Sequence, residues 1–300
     1  MGIFMEVRKL NSIVICTTGS DSLAKISLDS YTCEKIEFAL SEKPVGPHGI
    51  KVYDAGLVTA NCNSNSVSLF DKEQLAEKKN IKIGPKPNDM VIDGNILFTI
   101  CGESNALVVY DLQDDKVICE TTTGSWPHSI DLCRDAGKIF ISNLEGNSIT
   151  VISNDTYEVV KSIPVYEYPT KIKISDDKKY IYVCESYLGS DESGYLEVFS
   201  IDKMESIARI KVGTSPIDLF EDKAKIYISN FTDGSISVIN KQYFVNDKFI
   251  HVGGMPKGIV KCGGKIFVAD YLKNKLIILE DEKIKKVIAI ESEPNAMTLF

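Results

Sequence analysis

Between Pro127 and Pro169 the chain passes through four short apolar stretches separated by polar turns. Ser129-Ile130-Asp131-Leu132 comes first and Lys138-Ile139-Phe140-Ile141-Ser142-Asn143 second. Ser148-Ile149-Thr150-Val151-Ile152 and Val159-Val160-Lys161-Ser162-Ile163 follow. The unit from Pro216 repeats the middle pair as Lys225-Ile226-Tyr227-Ile228-Ser229-Asn230 and Ser235-Ile236-Ser237-Val238-Ile239. These runs alternate with period two and are rich in Ile, Val and Tyr, so each predicts a β-strand. No window carries a convincing helical period.

The unit recurs along the whole chain. Prolines at 47, 87, 127, 169, 216, 256 and 294 open it, at spacings of 40, 40, 42, 47, 40 and 38 residues. Four short strands in roughly 40 residues is the size of one β-propeller blade. A single such sheet cannot bury both of its faces, so blades must stack around an axis. Six units are complete. The seventh is split: 294–300 supplies its first strand, and Ser12-Ile13-Val14-Ile15-Cys16, Ser22-Leu23-Ala24-Lys25-Ile26 and Cys33-Glu34-Lys35-Ile36 supply the rest. The expectation is an all-β, seven-bladed propeller of four-stranded antiparallel blades, one domain over 1–300. A blade shared between the termini, 294–300 with 12–38, closes the ring and removes its edges.

Composition narrows the class. With 44% hydrophobic and 25% charged residues the chain is an ordinary globular one, neither disordered nor built of membrane-spanning apolar runs. A net charge of −8 argues against wholesale binding to nucleic acid, which requires a basic face. Eight cysteines include no CxxC pair and fall on strands, so they read as reduced, half-buried packing residues. The start, Met1-Gly2-Ile3-Phe4-Met5-Glu6-Val7-Arg8-Lys9, lacks the apolar core of a signal peptide, and a cytoplasmic location is expected. No phosphate-cradling Gly-rich loop, HExxH, GxSxG or CxxCH is present.

Ile-Phe-Ile-Ser-Asn at 139–143, Ile-Tyr-Ile-Ser-Asn at 226–230 and Ile-Tyr-Val-Cys-Glu at 181–185 resemble the Tyr-Val-Thr-Asn repeats of the YVTN (YncE-like) propeller family. The resemblance covers the whole chain and implies the fold rather than an activity. Similar repeats occur in surface-layer and periplasmic propellers, in sugar-lactone hydrolases and, more distantly, in streptogramin lyases. Gly46-Pro47-His48-Gly49-Ile50 looks like the Pro-His-Gly-Ile segments of those lyases, and Trp126-Pro127-His128-Ser129-Ile130 echoes it. In that family a histidine after the proline is the base and a second-strand glutamate helps hold a divalent metal. Carried over, those roles fall to His128 and Glu185. Lyase repeats typically end their second strands in Trp-Phe-Thr-Glu, and only Glu185 keeps the acid here.

Propeller topology sets the first residue after each proline and the last residue of each second strand toward one channel mouth. The first ring reads His48, Asn88, His128, Thr170, Ile217, Lys257 and Asn295; the second reads Thr17, Asn61, Cys101, Asn143, Glu185, Asn230 and Asp270. Trp126, Tyr168, Tyr187 and Tyr271 flank them. Such a face suits a ligand, with His48, Asn88, Trp126, Tyr168, Tyr187, Lys257 and Asp270 as candidate contacts. The bland alternatives are rim histidines, and asparagines that bond nearby backbone. The loop Ser186-Tyr187-Leu188-Gly189-Ser190-Asp191-Glu192-Ser193-Gly194 belongs to the same mouth and reads either as a lid or as a tolerated insertion. Lys241-Gln242-Tyr243-Phe244-Val245-Asn246-Asp247-Lys248 reads as a longer hairpin on the opposite face.

The unlike residues of the first ring favour a non-catalytic scaffold that holds a small ligand, a peptide or a partner protein. A metal-assisted lyase or lactonase-type hydrolase using His128 and Glu185 is the alternative. No cofactor is expected, and a divalent metal enters only with the enzyme reading. Neither a nucleic acid nor a membrane is an expected partner. A closed ring has little intrinsic need to dimerise, so a monomer is expected.

Overall fold

The computed structural model describes residues 11–300. It contains seven four-stranded antiparallel sheets and, among the described residues, one short 3-10 turn at Thr18–Ser20 as its only helix. The first strands of the sheets begin at Pro47, Pro87, Pro127, Pro169, Pro216, Pro256 and Pro294. Proline fits there because a strand's first residue can dispense with its amide hydrogen. In the closing blade, Pro294–Leu299 pairs with Ser12–Thr17, which pairs with Ser22–Ser27 and then Cys33–Glu37. Counting this blade as the first, the blades opened by Pro47, Pro87, Pro127, Pro169, Pro216 and Pro256 are the second to seventh. Among the described residues no helix is long and apolar enough to cross a membrane.

The alternation in the sequence does not divide core from solvent in the middle strands. All six residues of Ser12–Thr17 are buried. Val14 and Cys16 pack toward the second blade, while Ile13 and Ile15 pack toward the seventh. Seven apolar layers result, each lying between two neighbouring blades. A strand covered on both faces is apolar throughout, whereas one open on a single face alternates. Outer strands such as Lys283–Ala289 are almost wholly exposed. The eight cysteines are unpaired thiols; Cys16, Cys101, Cys133 and Cys184 are buried.

The turn before four of the seven first strands explains a recurrent asparagine. Lys86, Trp126, Tyr168 and Glu293 precede the strand prolines and hold left-handed backbone, with φ of 52°, 54°, 52° and 54°. Their amides donate to Asn65, Asn105, Asn147 and Asn274 of the preceding blade, over 2.7 to 3.1 Å. Those asparagines are themselves left-handed, a conformation that Asn tolerates better than most residues. The Asn147-Ser148 step of the repeat is therefore a staple between blades.

The segment 241–248 is the turn after Ser235–Asn240 and the start of Val245–His251, an ordinary outer hairpin.

Candidate functional site

The innermost strands enclose a channel with a cavity of about 400 Å³. Every first-ring residue lines it: His48, Asn88, His128, Thr170, Ile217, Lys257 and Asn295. Four of them reach forward to the main chain of the next blade. His48 Nδ1 donates to the Asn88 carbonyl at 2.9 Å, and Asn88 Nδ2 donates to the Pro127 carbonyl at 2.9 Å. His128 Nδ1 donates to the Thr170 carbonyl at 2.6 Å, and Thr170 Oγ1 donates to the Pro216 carbonyl at 2.7 Å. Much of the ring's variety thus serves to lace the blades.

Those bonds also fix the histidine tautomers. A carbonyl can only accept, so each Nδ1 carries a proton and each neutral ring keeps its lone pair on Nε2. Neither Nε2 has a hydrogen-bond partner among the described residues, and neither is fully buried. The two rings meet edge to face, with centroids 5.6 Å apart and planes at 84°. Burial, then the charge of Lys257, pushes the His48 pKa down to about 3. Burial likewise lowers that of His128. Both are neutral at physiological pH.

Lys257 completes this level of the wall. Among the described residues it forms no ion pair, and its ammonium lies 4.6 Å from the centroid of the Tyr271 ring. Burial lowers its pKa to about 8. Deeper in the channel most charges are matched, Lys51 being the exception among the described residues. Lys171 pairs with Asp218 at 3.0 Å, and Asp218 also accepts the Ile259 amide at 3.2 Å. Asp89 accepts the Met90 amide, the Ser129 hydroxyl and the Ile130 amide. Asp131 accepts the amides of Leu132 and Ile174. Sequence reasoning missed these inner-strand charges, although Asp89, Lys171 and Asp218 stand where other repeats have Gly49, Ser129 or Gly258.

The second ring does not share the channel. Asn61, Asn143 and Asn230 are fully buried, and they donate to Ser and Thr hydroxyls of the adjacent strand rather than to nearby backbone. A Cβ on Gly124 would come within 2.6 Å of the Asn143 amide nitrogen, which is why glycine passes over that asparagine. Asp270 is buried too, and accepts the amides of Met255 and Lys273.

Glu185 is therefore not brought together with His128. It is fully buried, accepts the Tyr166 amide at 3.0 Å, and pairs with Arg209 Nε at 2.9 Å. Its side chain faces the outer half of its own blade, where Glu197 and Arg209 stand opposite each other on neighbouring strands. Burial and the adjoining Glu197 carboxyl raise the Glu185 pKa to about 8. The Arg209 guanidinium lies between two rings, 3.8 Å from the centroid of Tyr166 and 3.5 Å from that of Tyr195. Its Nη2 donates to the Tyr187 hydroxyl at 2.9 Å. This ties the loop 186–192 to the blade's own outer strand, and none of its residues lines the channel. Trp126 and Tyr168 are half-buried in the turns before their strands and also stand off the channel. Sequence alone gave no sign of Glu197 and Arg209, because their proximity to Glu185 follows only from strand register.

Among the described residues no three His, Cys, Asp or Glu side chains converge as metal ligands. The donors present do not fit the divalent ion of the lyase analogy, since Glu185 is turned away from His128 and held by Arg209.

Antigen Lp49 of Leptospira interrogans is 27% identical over an alignment of 205 residues, a match that covers 62% of this chain and 45% of the antigen. The chain thus spans less than half the length of that relative. Among solved structures, a putative 6-phosphogluconolactonase from Bacteroides fragilis superposes with a TM-score of 0.77 at 15% identity, covering 98% of this chain and 99% of its own. A streptogramin B lyase superposes with a TM-score of 0.73 at 14% identity, covering 86% and 89%. Identities this low speak for the fold alone. A family model for YNCE-like beta-propellers matches residues 55–224. More than half of the sequence lies within that match, and the chain belongs to the YNCE-like beta-propeller family.

Proposed function

We propose that this propeller is a non-catalytic scaffold that holds a small ligand at the mouth of its central channel. One observation carries the reading. Two neutral imidazoles, locked through Nδ1, keep unpartnered Nε2 atoms beside an ammonium that has no carboxylate partner. Polar groups that lace the ring could be satisfied on both sides; these are satisfied on one. A concave wall with a few convergent unpaired groups is the usual form of a ligand site. The enzyme alternative needs His128 and Glu185 together, and the Glu185 carboxyl is already held by Arg209 and the Tyr166 amide.

A ligand-observed NMR screen of small polar molecules against the intact protein tests the reading. Ile217, on the same ring, is replaced by Trp to plug the mouth. The scaffold reading expects hits that disappear in Ile217→Trp while its melting transition stays cooperative. Hits that survive the plug, or an absence of hits, overturn it.

A further inference from the structure

The unpaired groups of the channel specify more than a cavity. Its acids are committed: Asp89 and Asp131 to main-chain amides, and Asp218 to Lys171 and the Ile259 amide. Lys173, also on the wall, is held by Asp176 at 3.2 Å and Glu221 at 3.6 Å. Two ammonium groups remain without a carboxylate among the described residues, Lys257 at the histidine level and Lys51 three residues further along the His48 strand. The Tyr271 ring beneath Lys257 offers a cation–π contact, which compensates a buried cation only in part. Burial depresses the Lys257 pKa and the charges of Glu293 and Asp218, neither of them in contact with the ammonium, offset it only in part, so an anion seated on Lys257 would relieve it.

The imidazoles ask for something different. Their Nδ1 protons are engaged by the Asn88 and Thr170 carbonyls, so Nε2 can only accept. A ligand made of acceptors alone would set oxygen lone pairs against nitrogen lone pairs. The ligand must therefore present O–H or N–H donors to one side of the site and negative charge to the other.

We infer that the channel takes a small hydroxylated carboxylate, its carboxylate on Lys257 Nζ and its hydroxyls donating to Nε2 of His48 and His128. This rests on the scaffold reading and narrows it to one chemical class. A cavity of about 400 Å³ accommodates such a molecule together with water.

Three four-carbon probes separate the requirements. Tartrate has charge and hydroxyls, succinate has the same charge without hydroxyls, and threitol has hydroxyls without charge. Isothermal titration of the intact protein should detect at least one tartrate stereoisomer. Succinate should bind at least about tenfold more weakly, because two acceptors are left facing it unpaired. Threitol should give no heat. Lys257→Met should abolish tartrate binding. His128→Asn keeps a donor near the Nδ1 position but removes the Nε2 acceptor, so it should narrow the preference of tartrate over succinate. Equal binding of succinate and tartrate, tartrate binding that persists in Lys257→Met, or no tartrate isomer binding with a Kd below about 1 mM overturns the inference. If that happens while the NMR hits are still lost in Ile217→Trp, the ligand class is wrong and the scaffold stands. Hits that survive the plug remove both.

Discussion

His48 and His128 belong to blades that are not neighbours, yet their rings meet edge to face across the channel wall, 5.6 Å between centroids. Asn88 stands between them in the ring. Its carbonyl takes the proton of His48 Nδ1, and its own side chain passes a hydrogen bond forward to the Pro127 carbonyl beside His128. The groups that bind the inner strands to one another are thus the same groups that set which imidazole nitrogen is free. Ring closure and site electrostatics are coupled through two Nδ1–H bonds.

That coupling makes His128 a structural residue as well as a candidate contact. His128→Ala should cost about 1–3 kcal/mol, because the buried Thr170 carbonyl loses its donor. His128→Asn should recover most of the loss, since its amide nitrogen lies near the place of Nδ1. Urea unfolding of both variants decides it. Equal losses would mean that the bond to Thr170 contributes nothing.

The same two rings predict an acid limit. Burial holds the His48 pKa at about 3 and lowers that of His128, against the ordinary imidazole value of 6.5. The unfolded chain therefore binds more protons than the folded one below about pH 6.5. Stability from neutral imidazoles is present above that pH and is lost on acidification, by up to about 1.4 kcal/mol per pH unit for each ring. Melting temperatures recorded from pH 7.5 to 4.5 should fall less steeply in His48→Gln than in the parent protein. Parallel slopes would show that His48 becomes protonated without cost.

The blades were legible in the sequence because Pro47, Pro87 and their counterparts mark every first strand and the Ile- and Val-rich runs mark the second and third. The level of each first-ring residue along the channel axis was legible too, and His48, His128 and Lys257 do share the channel wall. The side to which a residue points was not. Glu185 ends its strand at the correct level, but the pleat turns it toward Glu197 and Arg209, whose register with it depends on two further hairpins. Asn147 was visible only as part of a turn, because its partner, the Tyr168 amide, belongs to the next blade. One-dimensional spacing fixes height within a blade, whereas contacts between blades require the assembled ring.

The Glu185–Glu197 pair predicts a limit of opposite sign. A carboxyl whose folded pKa is raised to about 8 from its ordinary value of 4.5 binds more protons folded than unfolded between those values. Its contribution is full below about pH 4.5 and is lost as the pH rises through 8. Glu197→Gln removes the like charge and supplies a donor to Glu185. It should melt higher than the parent protein at pH 9, with the gap closing by pH 5. If the two proteins lose stability in parallel on the alkaline side, Glu197 is not what raises the Glu185 pKa.

Arg209 holds this corner together through geometry as well as charge. Its planar guanidinium stacks between Tyr166 and Tyr195 while Nε meets Glu185 and Nη2 meets the Tyr187 hydroxyl. An ammonium cannot stack in this way or direct two donors along a fixed fork. Arg209→Lys should therefore behave more like Arg209→Ala than like the parent protein. On the alkaline side, where Glu185 is ionised, the alanine variant should cost about 3–5 kcal/mol, because it leaves a buried carboxylate without its partner. Both variants should also release Tyr187, and the loop 186–192 should then become a preferred site of limited proteolysis, since exposed loops freed of their contacts are cut first. Peptide mapping after brief digestion locates the cut. Cleavage elsewhere, or a lysine variant as stable and resistant as the parent protein, would show that charge alone holds the corner and that stacking adds nothing.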